Sequence, residues 1–291
     1  MELFVPDQEV SRLEAALPRV GVAERLDLLL QLAWHLRQRD CARAKQYAEQ
    51  AQQSLAMHPA GSEARAIAEA RLNLVHGEIE FLQGDIEQCE ALAQQALAVF
   101  QAHSHWQGVI DAHILLSSVA NEHAQGVRRI ALRKEALDLA LQMGDQIRAD
   151  HSRGVLMLWD MLRDAKASMA QYQAYFPGDG SNLPAAVQAI AYHVLAFHAS
   201  LASDFAQAIT YWIKAYHASV LTGQIRHAII TACNIGDAFN NLNEHQAALE
   251  WMQKGLAMAR PQAWPTAVGL ALCQCGETLR RLGRLDVASE M

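Results

Sequence analysis

Apolar residues recur along this chain at three- and four-residue spacing, the pattern of helices with one buried stripe, and small residues punctuate that pattern at a fixed interval. Aligned on Gly77, Ser117, Met157, Ala196, Gly236 and Gly276, the steps are 40, 40, 39, 40 and 40 residues. Leu32 takes the same role 45 residues before Gly77. Seven residues after each reference stands a turn-prone or short residue: Gly84, Ala124, Asp164, Ser203, Asn243 and Gly283. Twelve and nineteen residues after it come small ones, as at Ala44 and Ala51, Cys89 and Ala96, Ala208 and Ala215, Ala248 and Gly255. A hairpin of two short helices cannot bury its apolar face alone, so copies must stack on one another. The pattern therefore predicts an all-α protein, an α-α superhelix of about seven helical hairpins running as a single solenoid over residues 1–291.

Turn chemistry sets the boundaries. The first hairpin is expected from about Val22 to Leu55, with Asp40 capping its second helix. The loop His58-Pro59-Ala60-Gly61-Ser62 explains the long first step. The second runs from Arg71 to Leu82 and from Ile86 to Phe100 across Gln83-Gly84-Asp85, where glycine ends one helix and aspartate caps the next. The third covers about Val109–Met143. The fourth, about Ile147–Phe176, carries bulky Met169 and Phe176 where other hairpins carry alanine. Pro177–Pro184 contains the strongest breaker cluster, yet the 39-residue step across it keeps the repeat in phase. The fifth (Ala185–Leu221) and sixth (Gln224–Ala259) hairpins turn at Ser203-Asp204 and Asn243-Glu244. The seventh opens near Trp264-Pro265. Its second helix begins at Leu285 and stops at Met291, so the chain is expected to be a fragment of a longer protein.

Composition narrows the class. With 52% hydrophobic but only 7% aromatic residues, the chain reads as an Ala/Leu/Gln-rich helical protein. A net charge of −7 argues against nucleic acid, whose phosphates need a Lys/Arg surplus. No stretch approaches 18 apolar residues and no basic start precedes an apolar run, so neither membrane insertion nor a signal peptide is expected, and a cytoplasmic location follows. The five cysteines read as small core residues in a reducing compartment; Cys273 and Cys275, two apart, cannot grip one metal. Thirteen histidines are scattered without a ligand-like spacing. No catalytic residue, metal or cofactor is predicted.

Gly77, Gly84-Asp85-Ile86, Cys89 and Ala96-Leu97 resemble the tetratricopeptide repeat, as do Ser203-Asp204-Phe205, Ala208, Trp212 and Ala215, and Gly236, Phe239, Ala248 and Gly255. The resemblance covers nearly the whole chain, with hairpins three and four departing most. The 40-residue period exceeds the 34 usual in the family, which implies longer helices. Leu29-Leu30-Gln31-Leu32-Ala33-Trp34-His35-Leu36-Arg37, followed by Ala44 and Ala48, is similar to the N-terminal sensory region of bacterial signalling proteins that carry a C-terminal GGDEF diguanylate cyclase. No Gly-Gly-Asp-Glu-Phe string occurs, so such an output domain would lie beyond residue 291.

The family lines its concave groove with the first helix of each hairpin. The resemblance thus places Arg71, Glu78, Asp111, His151 and their helical neighbours on an inner stripe, together with Asn121, His193, Asp237, Asn240, Glu277 and Arg280, with Asn234 and Asn241 flanking it. Asparagine is poor inside helices because its amide competes for backbone bonds. An amide that donates and accepts at once suits the backbone of an extended peptide. The eight residues from Asn121 to Arg280 are therefore the candidate ligand site, and a protein or peptide is the expected partner. A solvated groove, or hydrogen bonds between neighbouring hairpins, would use the same residues. The readings are a non-catalytic sensory module regulating a C-terminal output domain, a scaffold or homodimerisation module, the peptide-sensing region of a transcription regulator, and an enzyme whose site is assembled across hairpins.

Overall fold

The computed structural model describes residues 1–56, 61–262 and 264–290, and all regular structure among them is helical. His58, Pro59, Ala60 and Met291, which figured in the expectations above, lie outside the described residues. The chain divides into two compact units, residues 1–152 and 153–291.

In the first unit, a non-helical stretch leads into α1 (Asp7–Ala16), a helix that the repeat pattern does not predict. Helices α2 (Val22–Leu36) and α3 (Cys41–Leu55) form a hairpin, as do α4 (Glu63–Gln83) with α5 (Ile86–Ala102) and α6 (Trp106–Glu122) with α7 (Gly126–Gln142). The division between the units falls within α8 (Gln146–Met161). In the second unit, α9 (Ala165–Tyr175) is followed by the hairpins α10 (Ala185–Leu201) with α11 (Phe205–Thr222), α12 (Ile225–Asn241) with α13 (His245–Gln262), and α14 (Pro265–Arg281) with α15 (Leu285–Ser289). Helix α4 begins eight residues before Arg71 because Ser62 caps it, its side chain accepting from the Arg65 amide.

The recurring turn residue has a backbone cause. Gly84, Ala124, Ser203, Asn243 and Gly283 all have positive φ, between 55° and 86°. At each turn the following residue's N–H returns to the carbonyl five back: Asp85 to Glu80 at 3.0 Å, Gln125 to Ala120 at 2.8 Å, Asp204 to Ala199 at 2.9 Å. Glu244 to Phe239 and Arg284 to Leu279 repeat it at 2.9 Å. This left-handed cap stops the first helix and satisfies a carbonyl that would otherwise be orphaned. Asp40, Asp85, Asp164 and Asp204 then cap the next helix by accepting from the amide three residues on.

The small positions are where helices meet. Ala44, Ala51, Cys89, Ala96, Ala208, Ala215 and Ala248 are fully buried. A Cβ on Gly236 would lie 2.6 Å from Met252 Cγ and 3.0 Å from the Ala248 carbonyl oxygen, so only glycine fits there. In α9 the small buried position is Ser168, one residue before Met169, and its hydroxyl reaches the Met157 carbonyl at 3.2 Å. Phe176 is buried at the end of that helix. Cys41, Cys89, Cys233 and Cys275 are buried free thiols, whereas Cys273 is exposed rather than a core residue.

Candidate functional site

The repeat also organises the polar groups. In both units, side chains about one repeat apart hydrogen-bond across neighbouring first helices. In unit 1, Gln38 donates to Glu78 at 3.1 Å and Arg71 to Asp111 at 2.6 Å. In unit 2, Gln224 donates to the Ala186 carbonyl at 3.0 Å and Asn240 to the Thr278 hydroxyl at 2.8 Å.

In unit 1 this ladder is ionic. Asp111 is wholly enclosed and accepts from Arg71 and, through both of its oxygens, from Arg148 at 2.8 and 3.1 Å. Burial alone would push its carboxyl up, but the charges of Arg148 and Arg71 prevail and hold it below the usual carboxylate range. Arg37 lies 3.8 Å from Glu78, and its guanidinium sits 3.6 Å over the Trp34 ring. Burial lowers Arg37 to about 10, so it stays charged at neutral pH. Three buried guanidiniums thus face two buried carboxylates, with Asp145 accepting from Arg148 at the rim.

Across this surface runs the non-helical segment of residues 1–6, which bends at Leu3 and Phe4. Four of its carbonyls accept from side chains. Arg148 donates to Met1 at 3.1 Å, Trp34 Nε1 to Glu2 at 2.9 Å, Arg37 to Leu3 at 3.1 Å and Arg39 to Val5 at 2.8 Å. Leu3 and Val5 are buried, Phe4 is half-buried and Glu2 is exposed. Phe4 packs on His151 at 5.7 Å between ring centroids, with the Arg37 guanidinium 5.0 Å over its ring. A cleft of about 330 Å³ remains beside the segment, walled by Gln31, His35, Gln107 and Arg148.

In unit 2 the ladder is neutral and centred on His193. Its Nδ1 lies 3.0 Å from His227 Nε2 and its Nε2 lies 3.4 Å from the Asn234 amide nitrogen. His227 also hydrogen-bonds the Ala189 backbone. Two neutral rings satisfy this chain: the Asn234 amide donates to His193, and His193 donates to His227. Burial, then the proximity of His227, drives His193 well below the usual histidine value; burial and Arg226 lower His227 to about 4.

The predicted site residues therefore separate. Asn240 is buried, with its amide engaged by Thr278 and by His245 at 3.0 Å, so it ties hairpins together. Replacing it cannot leave stability unchanged. His193 is likewise enclosed, and Asn234 is half-buried beside it. Asp237 and Asn241 are exposed on α12, where Asn241 donates to the Asp237 carbonyl at 2.9 Å. Glu277 and Arg280 pair on α14 at 2.7 Å, near exposed Cys273 and Leu270. Asn121, in unit 1, accepts from Arg129 in solvent. Sequence reasoning had Arg71, Glu78, Asp111 and His151 on the inner stripe but missed the segment they and Arg37, Arg148 and Trp34 support. A usable signal was present: Arg71 and Asp111 are opposite charges at equivalent positions of successive repeats.

No family model matches the sequence, and no curated protein is significantly similar to it. Solved structures share the fold. A Rap protein complexed with competence and sporulation factor superposes with a TM-score of 0.56 at 10% identity, over 92% of this chain and 95% of that one. The apo form of the quorum sensor NprR from B. thuringiensis gives 0.52 at 11% identity, over 96% and 89%. A signal transduction ATPase with a tetratricopeptide repeat sensor, from Pyrococcus horikoshii, gives 0.50 at 11% identity, over 97% and 47%. The fold is a helical repeat of tetratricopeptide type. Among the described residues no helix is long and apolar enough to cross a membrane.

Proposed function

We propose that this chain is a non-catalytic binding module that recognises a peptide, or an extended segment of a protein, on the first-helix faces of its hairpins and passes that state to a regulatory output. One observation carries the reading: in unit 1 that face already holds a non-helical segment by four of its main-chain carbonyls, those of Met1, Glu2, Leu3 and Val5. Such backbone reading is how grooves bind extended peptides, with alternate side chains supplying specificity. Two of the structural neighbours point the same way, one complexed with a named factor and one a quorum sensor. The exposed stripe Asp237, Asn241, Glu277 and Arg280 extends the reading to unit 2, where asparagine amides would meet the ligand's backbone.

A diguanylate cyclase is the output that the resemblance of the opening helices implies. The residues carrying that resemblance, among them Leu29, Leu32, Ala33, Leu36, Ala44 and Ala48, are buried and are explained by packing. They support the repeat, and the output could equally be of another class.

Peptide display against the whole chain tests the reading. Enriched peptides should bind saturably, and binding should weaken about tenfold on replacing Arg39 with alanine when unit 1 holds the peptide, or the pair Asp237 and Asn241 when unit 2 does, as loss of one or two hydrogen bonds of about 0.5–1.5 kcal/mol each implies. No enrichment over a helical bundle of equal charge, or binding indifferent to both replacements, would instead favour a scaffold.

A further inference from the structure

The segment of residues 1–6 is more than a lead-in to α1. Four of its carbonyls accept from side chains on α2, on the turn after it and on α8, and the donors lie up to 147 residues away in sequence. Trp34, Arg37 and Arg148 are themselves buried, so these are built donors rather than flexible surface side chains. The contacts fall on backbone carbonyls, which any sequence possesses. Side-chain selectivity is confined to two enclosed apolar positions, Leu3 and Val5, and an aromatic one, Phe4, against His151 and Arg37. A cleft of about 330 Å³ opens beside the segment, walled in part by Met1, Glu2, Leu3 and Val5 themselves. Glu2 and Phe4 keep exposed or half-exposed faces, so the segment lies over the ionic ladder like a strap.

From this arrangement we infer that residues 1–6 are a resident pseudo-ligand of a peptide-binding channel. A second peptide with apolar residues two apart and an aromatic between them would compete for the same side-chain donors by displacing the strap. The inference rests on the proposed binding function and adds its regulation: the channel is closed in cis, and a ligand must exceed the strap's effective concentration, which is in the millimolar range for a short tether. Displacement would free the α1 side of unit 1 while the ionic ladder, held by its own ion pairs, stayed in place.

A fluorescently labelled peptide of residues 1–7, Met-Glu-Leu-Phe-Val-Pro-Asp, is the probe. A chain shortened to begin at Pro6 should bind it saturably, and the full chain should bind it at least about thirtyfold more weakly. The full-length variant Leu3→Ser with Val5→Ser, in which the strap is attached but has lost its apolar anchors, should bind like the shortened chain. Arg37→Lys in the shortened chain should weaken binding, because a point ammonium cannot stack on Trp34 and at once reach the Trp34 carbonyl and the peptide carbonyl that takes the place of Leu3. A shortened chain that keeps its helicity and cooperative melting but does not bind the probe, or equal binding by shortened and full chains, would overturn the inference. Should shortening or the serine replacements unfold unit 1, hydrogen exchange of the untouched chain decides. Leu3–Val5 amides exchanging through local opening, well before those of α4, support displacement, and exchange only with global unfolding refutes it. If displayed peptides bind only the α12–α14 stripe while the probe fails, the inference falls and the proposed function stands. If the probe binds the shortened chain but no foreign peptide binds either form, the channel is real and the proposed function falls.

Discussion

Asn240 and Asn241 are neighbours of the same type with opposite fates, and the difference is one of helical phase. Asn240 points between hairpins, where it gives a hydrogen bond to Thr278 and meets His245. Asn241 points outward and bonds only within its own helix. Asn240→Ala should cost about 1–3 kcal/mol, since it strands buried partners, whereas Asn241→Ala should stay within about 0.5 kcal/mol. Chemical denaturation of the two single variants measures the contrast. Asp111 is the sharper case. Its removal leaves the Arg71 and Arg148 guanidiniums buried against each other, and Asp111→Ala should cost about 3–5 kcal/mol by the same measurement. Asparagine in a helix and charge on an inner stripe were both visible in the sequence as oddities. Whether each faces a ligand or a neighbouring hairpin depends on the rotation of one helix against the next, which no local pattern encodes.

At the scale of the element, the hairpin is the most legible unit of this chain. Its turns are set by a left-handed residue and its contacts by small ones, and both recur because the same helix-to-helix approach recurs. Gly236→Ala tests the second constraint. Alanine has the higher helix propensity by about 1 kcal/mol. The new methyl would nonetheless meet Met252 and the Ala248 carbonyl, so the variant should be less stable by about 1–3 kcal/mol. Ala124→Gly tests the first. Alanine at φ 55° carries about 1–2 kcal/mol of steric cost, and glycine's greater freedom when unfolded offsets about 0.5–1, so this variant should gain roughly 0.5–1 kcal/mol in the same denaturation series. The strap was illegible by contrast. Six non-helical residues show no helical period, and their partners lie scattered from Trp34 to Arg148. Energetically the strap is balanced. Ordering six residues costs roughly 6–12 kcal/mol, while burying Leu3 and Val5 contributes about 3–6 and four carbonyl bonds about 2–6. Near-cancellation of that kind is what an exchangeable occupant requires.

For the whole molecule, the histidines set the response to acid. Six of the described histidines are moved downward: His35, His76, His105 and His113 in unit 1, His193 and His227 in unit 2. Burial is the first cause in each, and for His35, lowered to about 3, the charges of Arg37 and Arg39 add to it. A histidine whose folded pKa is depressed binds its proton only after unfolding, so between the folded value and about 6.5 the unfolded chain holds more protons. Stability from these groups is therefore fully present above pH 6.5 and is lost as pH falls towards 4. At pH 5 a group lowered from 6.5 to about 4, as His227 is, should forfeit roughly 2 kcal/mol. His193 and His227 share one hydrogen bond, so a single proton breaks the chain for both and their losses do not simply add. With His35, the total should be on the order of 4 kcal/mol, a large part of the 5–15 typical of a domain. The urea midpoint should fall steeply from pH 7 to pH 5 and be flat from pH 7 to pH 8. His227→Gln keeps an amide that can accept from His193 but does not titrate, and it should remove part of that slope in unit 2 while leaving the His35 contribution in unit 1. A midpoint unchanged between pH 7 and pH 5 would mean that the buried rings are already solvated or charged, and the neutral relay from Asn234 to Ala189 would have to be abandoned.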